Sequence, residues 1–214
     1  PPPRHAPPYL CLVVSGGHSH IVKVNSYTEL ETVGKTTDDA AGEAFDKAAR
    51  AMGFQYPGGV HIDRAAKQGD AKKYKLPRPA TKNPYDFSFS GLKTAVINLI
   101  HNNEQKGIET DVNSLAASFQ DTITSILAEK FMAAADEFGY TKLALAGGVA
   151  ANSMLRDKLS EMASDCGKQF YMPDISLCGD NAAMIGCQGY YEYLAGNTAD
   201  MSLNAYATKK LHML

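Results

Sequence analysis

The chain has 214 residues and a formal net charge of −2, from 21 lysine and arginine residues against 23 aspartate and glutamate residues. Hydrophobic residues make up 44% of it and charged residues 21%, which is typical of an ordinary soluble globule and excludes a wholly disordered chain, a collagen and a coiled coil. No apolar run approaches the roughly 20 residues of a membrane-spanning helix. The near-neutral charge excludes a surface that is positive all over, but a local basic patch for nucleic acid remains open.

The four cysteines are scattered along the chain and form no C-x-x-C pair. Such cysteines do not suggest the disulfide framework of a secreted protein, so we expect reduced thiols, a cytoplasmic protein and no membrane partner. Residues 1–8 include five prolines and no apolar segment. They predict a linker or a cut end and not a secretory signal.

Three short strands are predicted first, at Leu10–Ser15, Ile21–Val24 and Leu30–Lys35. Because Gly-Gly and Asn-Ser turns join them, they indicate an antiparallel meander. Helical periodicity then starts at Thr37 and continues to Met52, with an apolar stripe on one side and acids on the other.

The rest of the chain alternates helices and strands. The segment Tyr56–Phe89 is rich in proline, glycine and lysine and predicts mostly loop, with a short helix near Ile62–Lys67. Further helices are predicted at Leu92–His101, Val112–Phe138, Ala151–Ala163 and from Asp180 to about Leu194, and strands at Lys142–Ala146 and Gln169–Met172. This order predicts an α/β fold with a mixed sheet flanked by helices, as in the ribonuclease-H-like half of an actin-type fold.

Two Gly-Gly turns, Gly16-Gly17 and Gly147-Gly148, each follow a predicted buried strand. Glycine lets the backbone come close to a phosphate and offer N–H groups to it. The second turn is predicted to lead directly into a helix, whose N-terminus favours an anion, with Asn152 in its first turn. Tight turns alone also account for this pattern, so nucleotide binding and plain turn formation both remain open.

The helix near Asp38–Lys47 places three carboxylates on one face, which either is a solvated face or lines a ribose or divalent-cation pocket. Downstream, Gly58-Gly59 offers another close-approach turn and Asp63 a further acid. His18 and His20 would project from the same face of a strand as a pair of metal ligands, but no third ligand is evident.

Five cations fall between residues 72 and 82 and are interleaved with tyrosines. They are Lys72, Lys73, Lys75, Arg78 and Lys82. Cations mixed with stacking rings suit a nucleic-acid contact, and a solvated loop is the alternative.

Six segments together resemble one family, TsaD, the tRNA N6-adenosine threonylcarbamoyltransferases. The segments are Val14–His18, Asp38–Lys47, Tyr56–Gly59, Asp86–Lys93, Ala146–Asn152 and Cys178–Ile185, and the resemblance runs from about Tyr9 to Gly189. It implies the two-lobed fold shared by actin, Hsp70 and sugar kinases. Residues 9–178 would form the nucleotide-binding lobe, and residues 179–214 a returning helix and tail of a first lobe that is mostly missing. A zincin-type peptidase, an older interpretation of this family, would need an H-E-x-x-H motif that the sequence lacks.

The resemblance implies transfer of the threonylcarbamoyl group from threonylcarbamoyl-AMP to N6 of adenosine 37 in tRNAs that read codons beginning with A, with release of AMP. The resemblance assigns three groups of contacts in this sequence. The phosphate and acyl portion would be held by Val13, Val14, Ser15, Gly16 and Gly17. The ribose and neighbouring atoms would be contacted by Asp46, Gly59 and Asp63, and the nucleoside would be approached by Asn152 with Gly147 and Gly148. Asp180 would be one ligand of a catalytic divalent metal, iron or zinc.

The sequence departs from the family in its metal ligands. The other two come from an upstream His-x-x-x-His motif that these 214 residues do not contain, whereas a catalytic zinc usually has three protein ligands. We therefore expect an acyltransferase in the full-length parent and no activity from this chain alone. The implied partners are tRNA, a smaller paralogous subunit and an ATPase subunit, and a homodimer is a further alternative. We expect the basic Lys72–Lys82 stretch to contact the tRNA. The alternative function is a non-catalytic nucleotide-binding scaffold of the same assembly.

Overall fold

The computed structural model describes residues 6–205. Most of the proline-rich start and the end of the predicted tail, residues 1–5 and 206–214, lie outside the described residues.

Five strands form one mixed sheet. They are β1 (Tyr9–Val14), β2 (Ser19–Val24), β3 (Leu30–Lys35), β4 (Lys142–Ala146) and β5 (Gln169–Tyr171), in the order β3-β2-β1-β4-β5. β2 pairs antiparallel with β1 and β3, whereas β4 pairs parallel with β1 and β5. The predicted meander and the mixed sheet are therefore confirmed.

Six helices accompany the sheet. They are α1 (Ala41–Ala51), α2 (Gly58–Ala66), α3 (Ser90–Gln105), α4 (Val112–Glu137), α5 (Ser153–Asp165) and α6 (Ala182–Leu194). Two short 3-10 turns lie at Gly148–Ala151 and Ile175–Leu177. All six helices were expected, although α2 begins four residues earlier than predicted, at Gly58.

The main core lies between one face of the sheet and the helices. Alternate residues of β1, Leu10, Leu12 and Val14, point into it, while Cys11 packs in a smaller cluster on the opposite face. α4 is buried along most of its length. Its Phe119 meets Phe45 of α1 edge to face, with ring centroids 5.5 Å apart, which fixes the two helices against each other.

α1 begins at Ala41 and not at Thr37, because the preceding loop is bound to a distant segment. The backbone N–H of Thr37 donates to the carbonyl of Phe87 at 2.9 Å. The Asp38 carboxylate accepts the N–H groups of Phe89 at 2.7 Å and Ser90 at 3.2 Å. These bonds hold the loop against the start of α3, which sequence periodicity alone does not reveal.

α6 lies apart from the core and has no buried residue. Its Tyr191 ring stacks on Tyr27 at a centroid distance of 3.8 Å, and Gln188 Nε2 donates to the carbonyl of Tyr27 at 3.0 Å. The apolar side chains of α6, among them Ile185 and Leu194, are therefore exposed within residues 6–205. Across the same range, no helix combines the length and the apolar character needed to cross a lipid bilayer.

Replacing Asp38 with asparagine tests the anchor between this loop and α3. Partial burial raises the pKa of Asp38, but hydrogen bonds from Ser88, Phe89 and Ser90 outweigh it and hold the pKa below its ordinary value. Because the folded-state pKa is lowered, this stabilisation is complete above the unfolded pKa of about 4 and is lost as pH falls through the folded pKa. Since the side chain is largely exposed, we expect Asp38→Asn to lower the free energy of unfolding by about 1 kcal/mol at pH 7.

Urea denaturation at pH 7 and at two pH values below 4 measures this difference, which should shrink in acid. Glu31→Gln is the control, because Glu31 makes only an exposed ion pair with Lys23 and its loss should cost little. Equal stability of Asp38→Asn and wild type at pH 7 would contradict the anchor.

Candidate functional site

The parallel pairing of β1 with β4 places the two Gly-Gly turns side by side. Val13 is paired with Ala146, so both strands end at the same edge of the sheet. In α/β folds ligands bind outside the carboxyl ends of parallel strands, and this edge is where the predicted nucleotide site lies.

Gly147 allows the two strand ends to come this close. Its φ is +95°, a conformation that residues with a Cβ rarely adopt. A Cβ at this position would also collide with the carbonyl of Val14. The first glycine of the second turn is therefore required by the packing of the sheet.

The first turn is closed by its own hydrogen bonds and by α1. Ser15 Oγ accepts the N–H groups of His18 at 3.0 Å and Gly17 at 3.3 Å, and the Ser15 N–H donates to the carbonyl of His18 at 2.7 Å. The N–H of Gly42, in the first turn of α1, donates to the carbonyl of Ser15 at 3.1 Å. The N–H groups of Ser15, Gly17 and His18 are thus engaged within the protein.

An open cleft of about 440 Å³ lies beside these turns, between α1, α2 and the 3-10 turn that follows β4. Six predicted binding residues line it: Gly16, Asp46, Gly59, Asp63, Gly148 and Asn152. Tyr56, Val60, Val149 and Ile175, which sequence reasoning did not select, also line it. The other predicted residues, Val13, Val14, Ser15, Gly17 and Gly147, belong to the strand ends and turns behind this lining.

Three glycines of the lining border open space. A Cβ built at Gly16, Gly59 or Gly148 would have no atom of the described residues within 4 Å. Their bare backbones therefore form a surface that a phosphate or a sugar can approach closely. This distinguishes Gly148, which faces the cleft, from Gly147, which faces the sheet.

Asp46 joins α1 to the start of α2. Its Oδ1 accepts the N–H of Gly58 at 2.8 Å. Oδ2 has no hydrogen-bond partner among residues 6–205 and remains available to a ligand in the cleft. The other two carboxylates of the predicted acidic face, Asp39 and Glu43, instead pair with Lys47 at 2.7 and 2.9 Å. Of the three carboxylates, only Asp46 lines the cleft, so the three do not face one common pocket within residues 6–205.

Asp63 and Asn152 are joined by a residue that sequence reasoning missed. Gln120 of α4 donates from Nε2 to Asp63 Oδ1 at 3.1 Å and accepts from Asn152 Nδ2 at 3.0 Å. Asp63 Oδ1 also accepts from Ser153 Oγ at 2.7 Å. The available signal was a lone glutamine next to the apolar stripe of a long helix, since a buried polar side chain needs partners.

The second Gly-Gly turn was predicted to lead directly into a helix, but it does not. A 3-10 turn, Gly148–Ala151, intervenes before α5. Asn152 is the N-cap of α5, and its Oδ1 accepts the N–H of Leu155 at 3.0 Å. This bond satisfies one of the free N–H groups in the first turn of α5, and the predicted anion site there stays a prediction.

The described residues do not by themselves fit a metal ion. No group of three His, Cys, Asp or Glu side chains suited to a metal occurs within residues 6–205. His18 and His20 have ring centroids 5.4 Å apart, and burial, His18 and Lys35 lower the pKa of His20. Asp180 is exposed and lies outside the cleft lining, and α6 is capped by Asn181 and not by Asp180.

Two of the five cations are paired with acids, one at the N-cap of α4 and one within α4. Lys73 pairs with Asp111 at 2.8 Å, and Arg78 pairs with Glu129. The ammonium groups of the other three cations, Lys72, Lys75 and Lys82, have no hydrogen-bond or ion-pair partner within residues 6–205.

A family model described as TsaD, tRNA N6-adenosine threonylcarbamoyltransferase, matches residues 2–187 of the chain. The chain belongs to this family. A protein of that name from Clostridioides difficile (strain 630) is 48% identical over 207 residues, which are 96% of this chain and 61% of the relative. A second, from Caldicellulosiruptor saccharolyticus, is 48% identical over 95% of this chain and 60% of the relative. The chain therefore spans about three fifths of the length of these relatives.

Solved structures support the fold. The crystal structure of full-length HypF in its phosphate- and nucleotide-bound form aligns with a TM-score of 0.64 over 89% of this chain and 34% of that chain, at 13% sequence identity. HypF from T. kodakarensis aligns with a TM-score of 0.57 over 78% of this chain and 21% of that chain, at 18% identity. The predicted fold class is therefore confirmed.

Alanine should destabilise the protein at the first glycine of the second turn and leave its stability almost unchanged at the second. Gly147→Ala should lower the free energy of unfolding by at least about 2 kcal/mol, because it combines an unfavourable φ with a collision against Val14. Gly148→Ala, the matched control, should stay within about 0.5 kcal/mol of wild type, because its Cβ would enter open space. Chemical denaturation measures both, and equal effects would contradict the division of roles.

Proposed function

We propose that the protein that contains this chain transfers a threonylcarbamoyl group from threonylcarbamoyl-AMP to N6 of adenosine 37 of tRNAs that read codons beginning with A. The observation that carries the proposal is the cleft. Six positions to which the family resemblance assigns substrate contacts meet there, although they come from segments as far apart as Gly16 and Asn152. Family membership and the match to named transferases support the same reaction.

The chain's own residues would bind and orient the activated substrate. The bare backbones of Gly16, Gly59 and Gly148 permit a close approach to the adenylate, and the carboxylates of Asp46 and Asp63 can accept hydrogen bonds from its hydroxyl groups. Threonylcarbamoyl-AMP is a mixed anhydride and already activated. The adenosine amine forms the new bond to the carbamoyl carbon and loses one proton, while AMP leaves with the electrons of the broken carbon–oxygen bond. The cleft would contribute mainly by positioning the two reactants.

No step of this proposal runs through a metal ion. The family resemblance implies Asp180 as one ligand, and the further two histidines it implies are not among the 214 residues. Within residues 6–205, Asp180 is exposed and no group of three side chains suited to a metal ion occurs. We therefore expect the 214 residues alone to be inactive, and the complete reading frame that contains them to transfer the group.

Gly59→Ala tests the cleft as the nucleotide site. Gly59 is the second residue of α2, where alanine should stabilise the helix by up to about 1 kcal/mol, but the added Cβ would enter the cleft. We expect the affinity for AMP to fall at least about tenfold, since the close approach is lost while the fold is kept. Calorimetric titration of AMP and thermal unfolding, both on the complete protein, measure the two effects.

Gly91→Ala is the matched control, because Gly91 is the second residue of α3, also borders open space and lies outside the cleft lining. It should leave AMP affinity unchanged. Equal affinity in both variants would contradict the site. If the complete protein binds AMP but forms no threonylcarbamoyl-tRNA, the non-catalytic scaffold becomes the better function.

We also propose that tRNA contacts the unpaired lysines of the basic stretch. Replacing Lys72, Lys75 and Lys82 by alanine should weaken tRNA binding and flatten the dependence of log affinity on log salt concentration, because each lost phosphate contact removes the release of condensed counterions. Lys73→Ala is the control: its charge is already paired with Asp111, so the slope should change less. Filter binding at several salt concentrations measures both, and an unchanged slope in the triple variant would contradict the contact. The paralogous subunit, the ATPase subunit and a homodimer remain proposed partners.

A further inference from the structure

Gln120, the buried polar side chain that joins Asp63 and Asn152, has no role in the proposed function as described above. It lies on α4 with 1% of its surface exposed, between the core residues Phe119 and Ile123. A buried amide must satisfy its donor and acceptor inside the protein, so its orientation is fixed by its partners. Both side-chain partners of Gln120, Asp63 and Asn152, line the cleft.

Gln120 determines which groups Asn152 presents. Asn152 Oδ1 accepts the N–H of Leu155, and one hydrogen of Nδ2 is donated to Gln120 Oε1. An asparagine amide has two N–H donors, so a single N–H of Asn152 remains for a ligand. The cap bond and the bond to Gln120 together exclude the flipped amide, in which an acceptor would face the ligand.

Gln120 also restrains Asp63. Oδ1 of Asp63 accepts from Gln120 Nε2 and from Ser153 Oγ, while Oδ2 lies 3.4 Å from Lys67 Nζ. Because Ser153 follows Asn152 in the chain, the two bonds to Oδ1 join α2, α4 and the start of α5. The acceptor of Asp63 and the donor of Asn152 are therefore held at a set separation by one α4 side chain.

We propose that Gln120 is a positioning residue for the bound nucleotide: it couples Asp63 and Asn152 so that one acceptor and one donor face the ligand together. This inference rests on the proposed nucleotide site. It goes beyond that site because Gln120 acts through its two partners and is not itself part of the cleft lining.

Gln120→Met tests the coupling, because methionine fills a similar volume without hydrogen bonds. We expect AMP affinity, measured by calorimetric titration on the complete protein, to fall about tenfold. Asn152→Ala should also weaken binding, and adding Gln120→Met to it should cause a smaller further loss than Gln120→Met causes in wild type, because one of the two partners that Gln120 couples is gone. A core role alone would instead lower the melting temperature and leave AMP affinity unchanged, which would overturn the inference.

Gln120→Glu provides a second test, the pH dependence of AMP affinity, which should not change if Gln120 has only a structural role. The introduced carboxyl is buried beside Asp63, so its pKa is raised, and in its protonated form it can donate to Asp63 and accept from Asn152 as the amide does. AMP affinity of this variant, relative to wild type at the same pH, should therefore rise as pH falls from 8 to 5.5. A flat ratio would contradict the coupling.

Thr124→Val is the matched control. Thr124 is buried one turn further along α4, and its hydroxyl donates only to carbonyls of its own helix, those of Gln120 and Asp121. Its replacement perturbs α4 equally deeply and should leave AMP affinity unchanged. If wild type itself fails to bind AMP, the proposed function fails with the inference. If wild type binds AMP and Gln120→Met binds it equally well, the inference alone is overturned.

Discussion

The parallel pairing of β1 with β4 is the contact on which the site depends. It brings together two strand ends that are more than 130 residues apart in sequence, since Val13 is paired with Ala146. The pairing continues to the strand ends because Gly147 adopts a positive φ directly against the carbonyl of Val14. Without that close approach, Gly16 and Gly148 would not border the same cleft.

Buried and partly buried hydrogen bonds connect the residues that line the cleft. Gln120 links Asp63 with Asn152, and Asp46 ties the start of α2 to α1 through the N–H of Gly58. A buried polar group is costly when left unpaired and rigid when fully satisfied. Asp63 and Asn152 are therefore held in place by their hydrogen bonds, and such pre-organisation lowers the entropic cost of binding for the ligand that we propose.

Family membership and the local geometry of the cleft give different information about function. Membership indicates which chemistry to expect, whereas the geometry separates residues that face the cleft, such as Gly148, from residues that support it, such as Gly147. The described residues do not form a metal site, and family membership does not show one. Asp180 is exposed, and no group of three metal-ligating side chains occurs within residues 6–205, so its role stays a prediction.

The sequence by itself determined the element order and the mixed sheet, because buried strands, helical periodicity and glycine turns are local signals. Its resemblance to a family supplied six of the fourteen residues that line the cleft. Only the tertiary structure decided that α1 starts at Ala41, since its preceding loop is held by Phe87–Ser90, which lie some fifty residues away. It likewise decided that Asp39 and Glu43 pair with Lys47, and that Gln120 belongs to the site. The physical reason is common to all three: side-chain hydrogen bonds and ion pairs are chosen by neighbours in space, and the neighbours exist only once the chain has folded.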